Sequence, residues 1–198
     1  MNERPRAVPV FGAPKLSERD KLASLARVLV RAGYMSQGEA VAEVAVAARE
    51  DARETHPQAL AAQLVAGARG ELSVEQQSWP LRTDHDRLVT AFAALRAQGV
   101  AVLEAVADHW AADGVLKDAA EAGRPLSGVL WFTAPDVWHA VEHGMLEVNV
   151  WHADSANVAA GDALLTTVID TLAQHHLDAH FDEGRVELSA YWHRRLAD

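Results

Sequence analysis

The sequence predicts an α+β fold: an N-terminal helical segment, then a mostly antiparallel sheet close to βαββαβ with an added C-terminal hairpin strand, packed with helices on one face. Three observations predict it. Residues 17–78 carry helical periodicity and no strand pattern. Beyond Ser78-Trp79-Pro80, short apolar or alternating runs interleave with helical stretches. Those runs are few, none opens a Gly-rich phosphate loop, and the helix over Thr133–Gly144 is short for a crossover. The last point sets the antiparallel arrangement ahead of a parallel α/β sheet.

Residues 1–16 hold Pro5, Pro9 and Pro14 without apolar periodicity and read as a mobile arm. Ser17 with Asp20 caps a first helix whose stripe is Leu22, Leu25, Ala26 and Leu29, ended by Gly33. Ser36 with Glu39 is a capping box opening a second helix, with Val41, Val44, Ala45 and Ala48 inward. Pro57 suits the first position of a third, with Leu60, Leu64 and Val65 apolar. Pro80 disfavours helix at Trp79, and a boundary is placed there, giving a helical segment over 17–78 and an α+β domain over 79–198.

The second part alternates. Thr83 with Asp86 caps a helix bearing Leu88, Phe92 and Leu95 and stopped at Gly99. Val100–Leu103 is a strand, Asp113–Ala122 a helix, and Gly128–Thr133 a central strand. Thr133 and Asp136 cap a short helix that ends at Gly144. Met145–Ala153 has two faces, Leu146, Val148, Val150 and His152 against Glu147, Asn149 and Trp151. A helix over Val158–His176 carries Leu165, Val168, Ile169 and Leu172. Leu177–Asp182 and Arg185–Ser189 flank Glu183-Gly184 as a hairpin. The expected core is Leu88, Phe92, Leu95, Trp131, Val148, Val150, Val168 and Leu172.

Of 198 residues, 49% are hydrophobic, enough for a packed core. The 18 Lys and Arg against 28 Asp and Glu give a net charge of −10, which argues against nucleic acid or an anionic membrane as partner. That charge lies wholly in residues 79–198, with nine of the ten histidines. The absence of cysteine excludes thiolate chemistry and Cys-ligated zinc. No run reaches the roughly 20 apolar residues of a membrane helix. A soluble cytoplasmic protein is the expectation.

The stretch Trp79-Pro80, Thr83-Asp84, Asp86-Arg87-Leu88, Ala91-Phe92, Leu95 and Gly99-Val100 resembles the uncharacterised bacterial domain-of-unknown-function family DUF6891. Ala32-Gly33-Tyr34, Gly128-Val129-Leu130-Trp131-Phe132, Trp192 and Arg194-Arg195-Leu196 are similar to it too. The resemblance spans nearly the whole chain from about residue 20 and implies a fold but no activity. It also implies a cysteine cluster, in many members, after the strand that here is Val100–Leu103. This chain has Glu104, Ala105, Asp108, His109 and Trp110 there, so no cysteine-based metal or redox role carries over.

His139-Ala-Val-Glu142-His143 fits the H-x-x-E-H pattern of inverted zinc proteases. Imidazoles at i and i+4 share a helix face and can share a zinc, with Glu142 activating water. The simpler reading is the wet side of an amphipathic helix whose core side is Val137, Trp138 and Val141. His175, His176, Asp178, His180 and Asp182 read as solvated surface, and helix capping accounts for Thr83 and Asp86 around His85. Trp110, Trp151 and Trp192, with His152, are candidates for a pocket or interface, since tryptophan in polar company often lines one.

The expected function is that of a small non-catalytic binding or regulatory protein with no cofactor, acting on an unknown protein or small ligand, as a monomer or homodimer. The alternative is a zinc-dependent hydrolase using His139, Glu142 and His143. A pH-responsive module is a third reading, from the histidines gathered in the acidic part.

Overall fold

The structure is a computed structural model that describes residues 16–196. The arm expected over 1–16 lies, except for Leu16, outside the described residues. The three N-terminal helices form where expected: α1 (Glu18–Ala32), α2 (Gln37–Glu50) and α3 (Pro57–Glu75). Ser17 and Ser36 each accept the N–H three residues on, and Asp20 and Glu39 return the bond to the cap residue. Such a cap is worth about 1 kcal/mol. Ala26, Leu29, Val44, Ala45, Val65 and Leu72 close one apolar cluster among the three helices. Residues 17–78 contain no strand.

The remaining elements are α4 (Asp84–Ala97), β1 (Val100–Val106), α5 (His109–Glu121), β2 (Gly128–Thr133), α6 (Ala134–His143), β3 (Met145–His152), α7 (Ala163–Gln174), β4 (Asp178–Asp182) and β5 (Arg185–Ser189). The sheet order is β1-β2-β3-β5-β4. β1 and β2 run parallel, Val100 opposite Gly128. The other three pairings are antiparallel, so the sheet is mixed but mostly antiparallel, as expected. The parallel pair is possible because α5, 13 residues long, meets the dozen or so residues a crossover needs.

Strand alternation separates two faces. Val102, Leu130, Phe132, Val148, Val150 and Leu188 pack with Leu88, Phe92 and Leu95 of α4, Val137 of α6 and Val168 and Leu172 of α7. Ala101, Leu103, Val129, Trp131 and Trp151 face Ala112 and Leu116 of α5. Helices therefore cover both faces at the parallel pair, not one face as the sequence suggested. β2 is apolar on both sides, the pattern of a strand enclosed by helices. All eight expected core residues are buried, the most exposed being Trp131 at 7%.

Two helix starts differ from the sequence reading. α5 begins a turn earlier than Asp113, because the Asp108 side chain accepts the Trp110 N–H at 2.9 Å and caps it. α7 begins later than Val158, whose N–H bonds instead to the Val150 carbonyl at 3.1 Å. The hairpin forms at Glu183-Gly184, with φ of 41° and 95°.

Candidate functional site

The helical segment meets the sheet where α1 packs on α6, with Trp138 touching the apolar clusters of both. The chain after β5 straps this junction. Trp192 Nε1 donates to the Ala32 carbonyl at 3.2 Å, and Arg194 donates to the same oxygen at 3.4 Å. That carbonyl ends α1, where unpaired oxygens and the helix dipole favour donors and cations. Arg195 reaches the Pro80 carbonyl at 2.7 Å and Asp86 at 3.3 Å. The Asp84 carboxylate accepts the Tyr191 N–H at 3.2 Å. Gly33 is required twice over: its φ is +73°, and a Cβ there would lie 2.8 Å from Arg194 Cδ.

An apolar cavity of about 200 Å³ opens at this junction, lined by Leu29, Tyr34, Met35, Ala105, Val137 and Trp138 among others. It lies at the carboxyl ends of β1 and β2, the end of parallel strands at which open α/β sheets take ligands. The β1 register shifts between Leu103 and Val106, and Ala105 within that bulge has φ +50°. Beside the bulge, Glu104 accepts the Tyr34 hydroxyl at 3.0 Å and Arg96 at 3.0 Å. Burial, and then the neighbouring Glu104 charge, raise the Tyr34 pKa, so the phenol stays protonated. His85 sits edge-on to Trp192, ring centroids 4.9 Å apart. Burial, reinforced by the Arg194 charge, pushes its pKa down to about 4, so it is neutral at pH 7.

A second cavity, of about 220 Å³, adjoins across Gly33 and Met35, with Met35 lining both. Its walls include Ser36, Gln37, Arg69, Arg194 and Arg195.

The residues singled out in the sequence are dispersed. His139 and His143 do share one side of α6, ring centroids 4.8 Å apart, with the Glu142 carboxylate 3.8 Å from His143 Nε2. Among the described residues no group of three His, Asp or Glu side chains is placed to hold a metal ion. Trp110 is 66% exposed at the start of α5 and touches His109, which approaches Trp151. Trp151 lies edge-on to Trp131, whose Nε1 is buried without a partner among the described residues. His152, at the end of β3, pairs with Asp162 at 2.9 Å. Trp192 belongs to the other side of the sheet and is only 4% exposed, so it braces the junction from within.

A family of domains of unknown function, DUF6891, matches residues 16–196. The chain belongs to DUF6891. No curated protein and no solved structure matches it. In this DUF6891 chain, Gly33, Tyr34, Asp84, Asp86, Trp192, Arg194 and Arg195, distant in sequence, meet at the strap. The cavity residues Met35, Ala105 and Trp138, and Arg69 beside them, carry no sequence signal of a site. Their proximity depends on the docking of α1 against α6.

Proposed function

We propose that this DUF6891 protein is a small non-catalytic binding protein whose ligand carries a compact apolar body seated at the junction of α1, β1 and α6. The observation that carries this reading is the apolar cavity of about 200 Å³ at the carboxyl ends of the parallel strands. A void of roughly 150 Å³ accommodates benzene, so this one suits a single ring or a chain of about six carbons. Polar groups at its edge are engaged with one another: Glu104 holds Arg96 and Tyr34, and His85 is neutral against Trp192. That argues for positioning rather than proton transfer. The net charge of −10 speaks against nucleic acid and anionic membranes as partners. No helix among the described residues is long and apolar enough to cross a membrane.

Less supports a zinc-dependent hydrolase at His139, Glu142 and His143, since Glu142 and His143 are exposed and, among the described residues, no third ligand lies with them. The test is a titration with hexanol, followed by the methyl resonance of ¹³C-labelled Met35. Saturable shifts are expected, and Ala134→Leu, at a further residue of the cavity lining, should fill the space and abolish them. Shifts that rise linearly without saturation, or that survive Ala134→Leu, would contradict the reading.

A further inference from the structure

We infer that the arginine-lined cavity beside the apolar one is a phosphate site, which receives the phosphate-monoester head group of the ligand whose apolar body the proposed function seats across Met35. Among its lining residues are three guanidinium groups, Arg69, Arg194 and Arg195, and no carboxylate. That is notable in a chain with 28 acidic and 18 basic residues. Outside the cavity, Arg27 pairs with Glu71, Arg31 with Glu75, Arg87 with Asp84, Arg96 with Glu104 and Arg185 with Glu147, while Arg19, Arg49, Arg53, Arg82 and Arg124 make no ion pair among the described residues; what sets the cavity apart is that three guanidinium groups share one lining.

Among the described residues, Arg69 on α3 makes no hydrogen bond or ion pair, and Arg194 makes no ion pair. Arg194 is held by the Ala32 carbonyl and by the face of Tyr34, its guanidinium carbon 4.7 Å from the ring centroid. Those contacts fix where the group sits without neutralising it. Arg195 is anchored by Pro80 and Asp86. Packing against Gly33 holds Arg194 further, its Nε 2.8 Å from where a Cβ would stand. Two of the three cations are therefore positioned before any ligand arrives, which lowers the ordering cost of binding.

The wall at Ser36 and Gln37 adds the start of α2. Glu39 already takes the Ser36 N–H at 2.7 Å, and the amides of Gln37 and Gly38 have no partner within the helix. This helix end assists, but the guanidinium groups decide the chemistry. A planar carboxylate is satisfied by one bidentate arginine fork. A phosphate monoester offers three terminal oxygens and close to two negative charges, enough to engage several guanidinium groups at once. This inference rests on the proposed function for the apolar body of the ligand, and the measurements below separate the two.

The full chain, in phosphate-free buffer, is titrated calorimetrically with inorganic phosphate, hexyl phosphate and hexanoate, and hexanol binding is followed at the Met35 methyl. Arg69→Gln is the test variant, because Arg69 has no partner within the described residues to lose. Its unfolding midpoint should match the parent's. Inorganic phosphate should bind saturably, hexyl phosphate more tightly, and hexanoate at least about tenfold more weakly than hexyl phosphate. Arg69→Gln should weaken both phosphate ligands about tenfold or more and leave hexanol binding unchanged. Phosphate binding without hexanol binding, still lost in Arg69→Gln, would support this site and sink the apolar reading. No saturable phosphate binding, equal phosphate affinity in Arg69→Gln, or hexanoate binding as tightly as hexyl phosphate would each overturn the inference.

Discussion

His85 offers a direct probe of how dry the junction is. The side chain is half-buried against Trp192, and Arg194, Asp86 and Glu104 are the charges that act on it. Burial and Arg194 outweigh the two carboxylates, and the folded pKa falls to about 4 from the ordinary 6.5. The unfolded chain therefore binds a proton that the folded chain refuses between those values. A group whose folded pKa is depressed contributes its full stability above the unfolded pKa and loses it as the pH falls toward the folded one. The loss amounts to about 1.4 kcal/mol by pH 5.5 and about 2.5 kcal/mol by pH 4.5. His85→Gln keeps a polar side chain but removes the titration. Urea unfolding of both proteins at pH 7.5, 5.5 and 4.5, followed by tryptophan fluorescence, isolates the effect. The stability difference between parent and variant should shift by about 2.5 kcal/mol in the variant's favour from pH 7.5 to 4.5. The lowered pKa of His193, set mainly by burial, is present in both proteins and cancels. A difference constant within about 0.5 kcal/mol would show that His85 titrates as it does in water and that the junction is wet.

Three further substitutions test the fold and the histidine pair. Gly128→Ala should destabilise by about 3 kcal/mol or prevent folding, measured by urea unfolding, because the new Cβ would stand 2.3 Å from the Trp151 carbonyl oxygen and 2.5 Å from Leu164 Cδ2. His139→Ala and His143→Ala should each change stability by under about 1 kcal/mol, as changes on a helix's wet side do. Metal analysis of untagged protein accompanies them: stoichiometric zinc lost in both variants would favour the hydrolase instead.

Local signals in the sequence carried the elements, and the contacts that make the junction were hidden. Ser17, Ser36 and Thr83 cap their helices in the structure because each box is a three-residue relation, readable without tertiary context. The Glu183-Gly184 turn was legible for the same reason. The parallel pairing of β1 with β2 was not, because an apolar strand accepts either direction and α5 was read a turn too short. The polar neighbours of Trp192 suggested a pocket or interface without saying which elements would meet there; its indole is buried over Ala32, where the chain runs across the junction of α1 and the sheet. The positive φ of Ala105 leaves no trace in residue identity. Arg69 looked like any polar position on an exposed helix; only the fold brings it into one cavity with Arg194.

Binding of a ligand at the junction under the strap can be observed atom by atom through intermolecular NOEs with hexyl phosphate. With ¹³C-labelled methyl groups in the full chain, NOEs are expected from the alkyl protons to the methyls of Met35, Leu29 and Val137, which line the apolar cavity. NOEs confined to methyls on the other face, such as Leu103 and Leu116 beside Trp151, or none at saturating ligand, would contradict it.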